Sequence, residues 1–260
     1  MSGYSLDNTW DQADLRLALL ESQLDPISQR RLSALGVGDG WRCLEVGGGG
    51  GSMTRWLCDQ AGPTGHVMAT DIEPRFLEDN GNSRLEVRRH DIAAEDLPKS
   101  HFDLVHARWL LHHLPDPEGA VARMVAALRP GGWILLEEVD FFPIRTSTSR
   151  IYTDFMTALT SAVMSASGGN CFWARDLPAL VANQDLVEVS ASGDQFVLRG
   201  GSPWARFFAL TANQIRDTIT GSSGSLSAEQ LDEALTLLGD PTFWALAGAG
   251  IVVWGQRPTS

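Results

Sequence analysis

Five consecutive glycines, Gly47–Gly51, follow the apolar run Trp41-Arg42-Cys43-Leu44-Glu45-Val46, and Asp71 stands 24 residues after Gly47. Gly47, Gly49 and Gly51 remove Cβ atoms where a chain must turn sharply and approach a ligand closely. An acid that far downstream, at the end of a second strand, is placed to accept hydrogen bonds from ribose hydroxyls. Together they describe a site for a nucleoside-containing cofactor. A dinucleotide fingerprint of the form G-x-G-x-x-G would put glycine at 52, where the chain has Ser52. Glu45 adds a sharper constraint, because a carboxylate ending a buried strand needs a partner. The amino group of a bound amino-acid moiety would supply one. Further along, His112 and His113 are candidates for a general base, and on a helix their side chains would diverge by about 100°. Glu138 and Asp140, closing a fifth strand, and the aromatics Trp10, Trp173 and Phe207 are candidates for substrate contact. No His, Cys or Asp grouping has metal-ligand spacing, so no metal is expected.

These residues need a scaffold, and hydrophobic periodicity provides it. Strands are expected at 41–46, His66–Thr70, Leu85–Arg89, Phe102–His106 and Trp133–Val139. Asp71 and Asp91 lie just beyond the second and third, and Ala107–Leu114 reads as helical after the fourth. Helical crossovers between them imply a parallel, doubly wound sheet, in which ligands bind beyond the carboxyl ends of the strands. Residues 5–35 read as helical, with Pro26 opening a second helix that ends near Gly36. After Pro143 the spacing predicts a helix over 148–166, short strands at Leu186–Val189 and Phe196–Arg199, a capping box at Ser227 and Gln230, and a closing strand at Ile251–Gly255. The interval 200–245 is long for a loop and is expected to be helical, lying over one end of the sheet.

The run Leu44-Glu45-Val46-Gly47-Gly48-Gly49-Gly50-Gly51 resembles the E/D-x-G-x-G-x-G first motif of class I S-adenosylmethionine-dependent methyltransferases. Asp71, Asp91-Ile92, Phe102-Asp103-Leu104-Val105 and Leu128-Arg129-Pro130-Gly131-Gly132-Trp133 match the later motifs in order. Trp109-Leu110-Leu111-His112-His113-Leu114-Pro115 resembles the ubiquinone/menaquinone-type branch, and the flanking parts are similar, more loosely, to actinomycete small-molecule methyltransferases. The resemblance implies that Gly47, Gly49 and Gly51 line the methionine and ribose portions of S-adenosylmethionine, with Glu45 at the amino group. It implies Asp71 at the ribose, Ile72 and Ile92 against the adenine, Asp91 at the adenine amino group and Ala107 facing the methionine portion.

Composition narrows the partners. Asp and Glu number 32 against 20 Lys and Arg, a net charge of -12, with Lys99 the only lysine. Such a surface repels phosphate backbones and anionic headgroups, so neither nucleic acid nor membrane is an expected partner. Three cysteines without metal spacing, and no basic-then-apolar leader pattern at the N-terminus, fit a reduced cytoplasmic protein. The expected architecture is α/β: a doubly wound, Rossmann-like seven-stranded sheet with N-terminal helices. A helical cover is inserted after strand 5 and between strands 6 and 7. It forms one domain over 1–260, with an N-terminal helical cap (1–40), a cofactor-binding core (41–142) and a substrate cover with closing strands (143–260). The expected activity is methyl transfer to an O, N or C nucleophile of a small, aromatic or natural-product-like molecule by a monomer or homodimer. A cofactor-binding protein without transfer activity and an NAD(P)-dependent oxidoreductase are the alternatives.

Overall fold

The computed structural model describes residue 6 and residues 9–77, 81–221 and 224–259. Seven strands form one sheet: β1 (Arg42–Val46), β2 (His66–Asp71), β3 (Leu85–Arg89), β4 (Phe102–Arg108), β5 (Leu128–Asp140), β6 (Val187–Arg199) and β7 (Trp244–Gln256). Their spatial order is β3-β2-β1-β4-β5-β7-β6. β1 to β5 run parallel, and β7 is antiparallel between β5 and β6, so the sheet is mixed. The order reverses between β1 and β4, which opens a crevice at their carboxyl ends.

Side-chain alternation assigns each face. Cys43, Leu104 and Leu135 point to one side, where they pack with Leu32 of α1 (Ala13–Ala34) and with Met53 and Leu57 of α2 (Ser52–Gln60). Leu44, Val105, Ile134 and Leu136 point to the other, against α3 (Pro117–Ala127) and α5 (Leu177–Ala182). With both faces covered, central strands read as nearly continuous apolar runs. The cover consists of α4 (Arg150–Ser167), after β5, and of α6 (Pro203–Gln214), α7 (Arg216–Thr220) and α8 (Ala228–Gly239), between β6 and β7. The expected capping box is present at the start of α8, with Ser227 and Gln230 bonded reciprocally.

Four expectations are corrected. The N-terminal segment holds one helix rather than two: α1 continues through Pro26 for 22 residues. Packing overrides the proline penalty, because Leu24, Ser28 and Leu32 are buried on one face and Asp25 is tied to Arg108 at 2.9 Å. Ser5, Asp7 and Asn8, expected in that helix, lie outside the described residues, as do Ser222 and Ser223 in the cover. Residues 107–114 are not a helix. β4 runs to Arg108, held by pairing with Glu137 of β5, and only a short 3-10 turn, Leu111–His113, follows. Residues 187–199 form one long edge strand, whose polar middle (Ser190–Gln195) lacks apolar alternation because it is largely exposed. β7 likewise begins at Trp244, and five of its six residues before Gly250 pair with β6.

Inside this frame lies a chain of buried charges. Glu45 and His106 are register neighbours on β1 and β4, and the imidazole Nδ1 is 2.5 Å from the Glu45 carboxylate. Its Nε2 is 3.1 Å from Glu137 of β5, whose other oxygen accepts from Arg31 of α1 at 3.1 Å. Arg31 also reaches Asp194 on β6. Asp25, Ser28 and Arg31, three residues apart, thus form the face by which α1 grips the sheet. Burial opposes a charged ring at 106, but the carboxylates on both nitrogens outweigh it and raise the His106 pKa to about 9. A raised folded pKa means that this contribution is complete below the unfolded value near 6.5 and is lost as pH rises through about 9. Unfolding free energy is expected to fall across that window with a His106-dependent slope approaching about 1.4 kcal/mol per pH unit. Denaturant unfolding of wild type and His106→Gln across that range checks this, and equal slopes would contradict it.

Candidate active site

A cavity of about 340 Å³ opens at the carboxyl ends of β1, β2 and β4. That volume falls in the range of small-molecule and cofactor sites. The glycine turn after β1 forms one wall. Gly47 and Gly48 donate to the Thr70 carbonyl at 2.8 and 3.0 Å, which binds the turn to β2. Gly47 (φ +74°) and Gly49 (φ +55°) adopt left-handed conformations that side chains rarely take. A Cβ on Gly47 would stand 3.1 Å from Leu110, and one on Gly49 would point toward Leu17 of α1. Gly51 lies off the cavity wall; it caps the start of α2, and Gly50 lines the cavity instead.

Asp71 closes this wall from below. Its carboxylate accepts from Gly49 N–H at 3.0 Å and Glu73 N–H at 2.9 Å. Burial still pushes the carboxyl above its ordinary range against those two hydrogen bonds. Ile72, Asp91 and Ile92 continue the lining, with Asp91 fixed by an N–H from Ala93 at 2.9 Å. Glu45 reaches the cavity from near the end of β1, and its carboxylate is also bonded to His106. Ala107 does not face the cavity. It pairs with Val46 and Leu136 and is buried in the apolar core, and the residues turned toward the cavity here are Arg108, the last of β4, and Trp109 just past it.

α1 forms the roof. Arg16, Leu17, Leu20 and Glu21 line the cavity, and Glu21 accepts from the first N–H of α2, at Ser52, at 3.2 Å. Burial raises the Glu21 pKa above its ordinary value. Trp10 precedes α1 and is not part of the lining.

The far half of the cavity is apolar and aromatic, built from Trp109, Phe141, Met156, Leu159, Phe207 and Phe208. Trp109 is the hub: its ring stacks on Trp204 at 5.6 Å and meets Phe141 and Phe207 edge-on at 6.1 Å each. It is also one of three non-glycine residues with positive φ (+54°) among the described residues, a conformation of the kind found at functional sites. Both histidines line this half. His112 Nδ1 is 2.7 Å from Glu138. His113 lies beside it with ring centroids 4.0 Å apart, and burial, then the neighbouring His112, lowers its pKa well below the ordinary value, so its ring is neutral.

Of the expected substrate contacts, Phe207 alone lines the cavity. Glu138 lies behind His112, buried under the 110–112 backbone. Asp140 is fully buried and clamped by Arg175 through two 2.8 Å bonds. Trp173 packs on the core near α5. Among the described residues, no three or more His, Cys, Asp or Glu are grouped to hold a metal ion, and no helix is long and apolar enough to cross a membrane. Arg108, Trp109, Glu21, Phe141 and His106 are site residues that no sequence motif marks as such. Only Trp109 had a local signal, its place directly after β4.

Comparison with known proteins agrees with this geometry. A family model described as a methyltransferase domain matches residues 44–134. "Methyltransferase str2" of Strobilurus tenacellus is 29% identical over 185 residues, covering 67% of this chain and 64% of that protein. The ubiquinone/menaquinone biosynthesis C-methyltransferase of Cupriavidus necator is 32% identical over 114 residues, 41% of this chain and 46% of its own. The chain therefore spans between about half and two thirds of the length of these relatives. Among solved structures, phosphoethanolamine N-methyltransferase 2 of Haemonchus contortus superposes with a TM-score of 0.61 at 15% identity, covering 99% of this chain and 60% of that one. That structure is a complex with S-adenosyl-L-methionine. The glycine turn and the acid ending β2 fall within the matched segment, which is similar to a methyltransferase domain, and the solved structure shares the fold of the chain.

Proposed function

We propose that this chain transfers a methyl group from S-adenosylmethionine to a small, largely apolar organic molecule. The observation that carries the proposal is the division of one cavity into two halves. A backbone cradle with the carboxylates of Glu45, Asp71 and Asp91 occupies one, and an aromatic chamber the other. The cradle fits the cofactor: two left-handed glycines leave its wall without Cβ atoms, and Asp71 presents a partly buried carboxylate held by backbone N–H groups. When bound, S-adenosylmethionine supplies a methyl group already activated on a sulfonium centre. Asp71 would hold the ribose hydroxyls, Ile72 and Ile92 would pack on the adenine, and Asp91 would reach its amino group. Glu45 would share its carboxylate between His106 and the cofactor ammonium.

The chain's own contribution is alignment and exclusion of water. α1 roofs the cradle, while α4 and α6 bring Met156, Leu159, Phe207 and Phe208 over the acceptor chamber. An aromatic wall of this kind suits a flat organic acceptor rather than a polymer. The relatives' names refer to carbon and nitrogen methylation of small molecules, which supports a small acceptor without choosing its atom. The net charge of -12 supports an acceptor other than nucleic acid. The free, buried thiols of Cys43, Cys58 and Cys171 are compatible with a reducing cytoplasm.

S-adenosylhomocysteine is expected to raise the melting temperature while NAD and NADP leave it unchanged, and Asp71→Ala to weaken its binding by about 1–3 kcal/mol in calorimetry. Stabilisation by NAD alone would overturn the proposal. Phe207→Ala and Trp173→Ala separate the chamber from the core beside it. Phe207→Ala is expected to raise KM for the acceptor or lower kcat with S-adenosylhomocysteine affinity retained, and Trp173→Ala to leave the KM unchanged. Identical kinetics in the two variants would show that the chamber is not where the acceptor binds.

A further inference from the structure

The left-handed turn at Trp109 directs the next three backbone N–H groups toward one side chain. Glu138 accepts from Leu110 at 2.8 Å, Leu111 at 2.6 Å and His112 at 3.4 Å, and in addition faces Nδ1 of the His112 ring at 2.7 Å. A carboxyl group surrounded by donors is an acceptor on both oxygens, so it is ionised and takes the ring's Nδ1 proton as a hydrogen bond. That fixes the tautomer. Nε2 is left with the lone pair, on a ring that is buried at 4% exposure yet lines the cavity.

The chamber around it offers little other proton chemistry. The hydroxyls of Thr160 and Thr211 donate to carbonyls of their own helices, Met156 and Phe207, at 2.8 Å each. Burial, then Glu138 and Asp140, pushes the Cys171 thiol up to about 12, so it stays protonated. His113 is neutral, and Arg16 of α1 lines the same cavity as a fixed cation. Asp140 is turned away onto Arg175. His112 is thus the base of the chamber, and the walls beside it are the rings of Trp109, Phe141 and Phe207.

A carboxylate-held imidazole accelerates methyl transfer only if the nucleophile must lose a proton in order to attack. A neutral amine attacks with a lone pair it already has. An aliphatic hydroxyl is too weak an acid for an imidazole to deprotonate, whereas an aromatic hydroxyl, with a pKa of about 10, is within its reach. We propose that His112, oriented by Glu138, is the general base of this site and that the acceptor is a planar aromatic molecule methylated on a phenolic oxygen. The proposal rests on the methyl-transfer function above. The phenolic proton passes to Nε2 of His112, the oxygen forms a bond to the methyl carbon, and the carbon–sulfur electron pair remains on sulfur. His112 later returns the proton to solvent, and Glu138 stabilises the imidazolium in between without becoming protonated itself. Glu138 is a positioning residue.

Two readouts test this. In the first, 4-nitrophenol is titrated spectrophotometrically against the protein saturated with S-adenosylhomocysteine. Bound to wild type, the probe is expected to ionise at least about one pH unit below its value in water, a tenfold shift in its acid constant, and in His112→Gln to return to that value. In the second, S-adenosylmethionine is supplied with phenols, anilines and carbon acids, and the methylated atom is located by NMR. Aryl methyl ethers are expected, with kcat lowered about 100-fold or more in His112→Gln and S-adenosylhomocysteine affinity unchanged by calorimetry. A probe that fails to bind, or that ionises alike in both proteins, would overturn the proposal, as would N- or C-methyl products with phenols inert. If wild type binds S-adenosylhomocysteine but methylates no phenol, this proposal alone fails. If it does not bind S-adenosylhomocysteine, the methyl-transfer function fails with it.

Discussion

Two carboxylates and an imidazole, Glu45, His106 and Glu137, lie inside the sheet with almost no exposure to water. Either carboxylate alone would be costly there, because taking a charge out of water carries a penalty of several kcal/mol. The imidazolium between them offsets that penalty, and Arg31 neutralises the outer carboxylate from α1. Breaking such a chain at one member leaves the others buried without compensation, so its three strands and its helix are held as a unit. Those strands are β1, β4 and β5, and the order of the sheet reverses between the first two. The crevice that topology creates is therefore floored by an ionic cluster, and the cradle, the roof and the aromatic chamber are arranged around it.

The turns at either side of the crevice depend on that fixed floor. After β1 the chain must double back over Thr70, which it does with left-handed glycines at 47, 49 and 51. After β4 it must leave the sheet at once, and Trp109 takes the left-handed conformation although it is not glycine. That conformation is disfavoured for a bulky residue, and the contacts of its ring with Trp204, Phe141 and Phe207 are what hold it. The same turn presents three N–H groups to Glu138 and brings His112 to the cavity. Backbone strain, aromatic packing and the orientation of an imidazole are thus one piece of architecture.

Residues close in sequence were legible, and residues joined across the fold were not. The glycine turn and Asp71 lie on consecutive strands of one unit, so their spacing alone placed them together. Ser227 and Gln230 were equally legible, since a capping box is a local pattern. A carboxylate at 45 needs a partner, but His106 is 61 residues away, and nothing in the spacing distinguishes it from an ordinary strand residue. The motif suggests Ala107 at the cavity, but strand alternation turns it into the core beside Val105, and the residues that face inward are the next two, Arg108 and Trp109. The polar middle of β6 hid a long edge strand because an exposed strand has no buried face to print on its sequence. Pro26 suggested two helices, and only the side chains that clamp α1 to the sheet explain why there is one.

In the proposed complex the cradle holds an adenosyl group and the aromatic chamber holds the acceptor, with the methyl-donating sulfur between them. A crystal structure of the complex with S-adenosylhomocysteine tests it most directly. The ribose is predicted to lie on the Asp71 carboxylate beside Gly49, the adenine between Ile72, Asp91 and Ile92, and the sulfur toward Trp109 and His112. Ligand bound with its ribose away from Asp71, or lying within the Trp109–Phe207 chamber, would contradict the account.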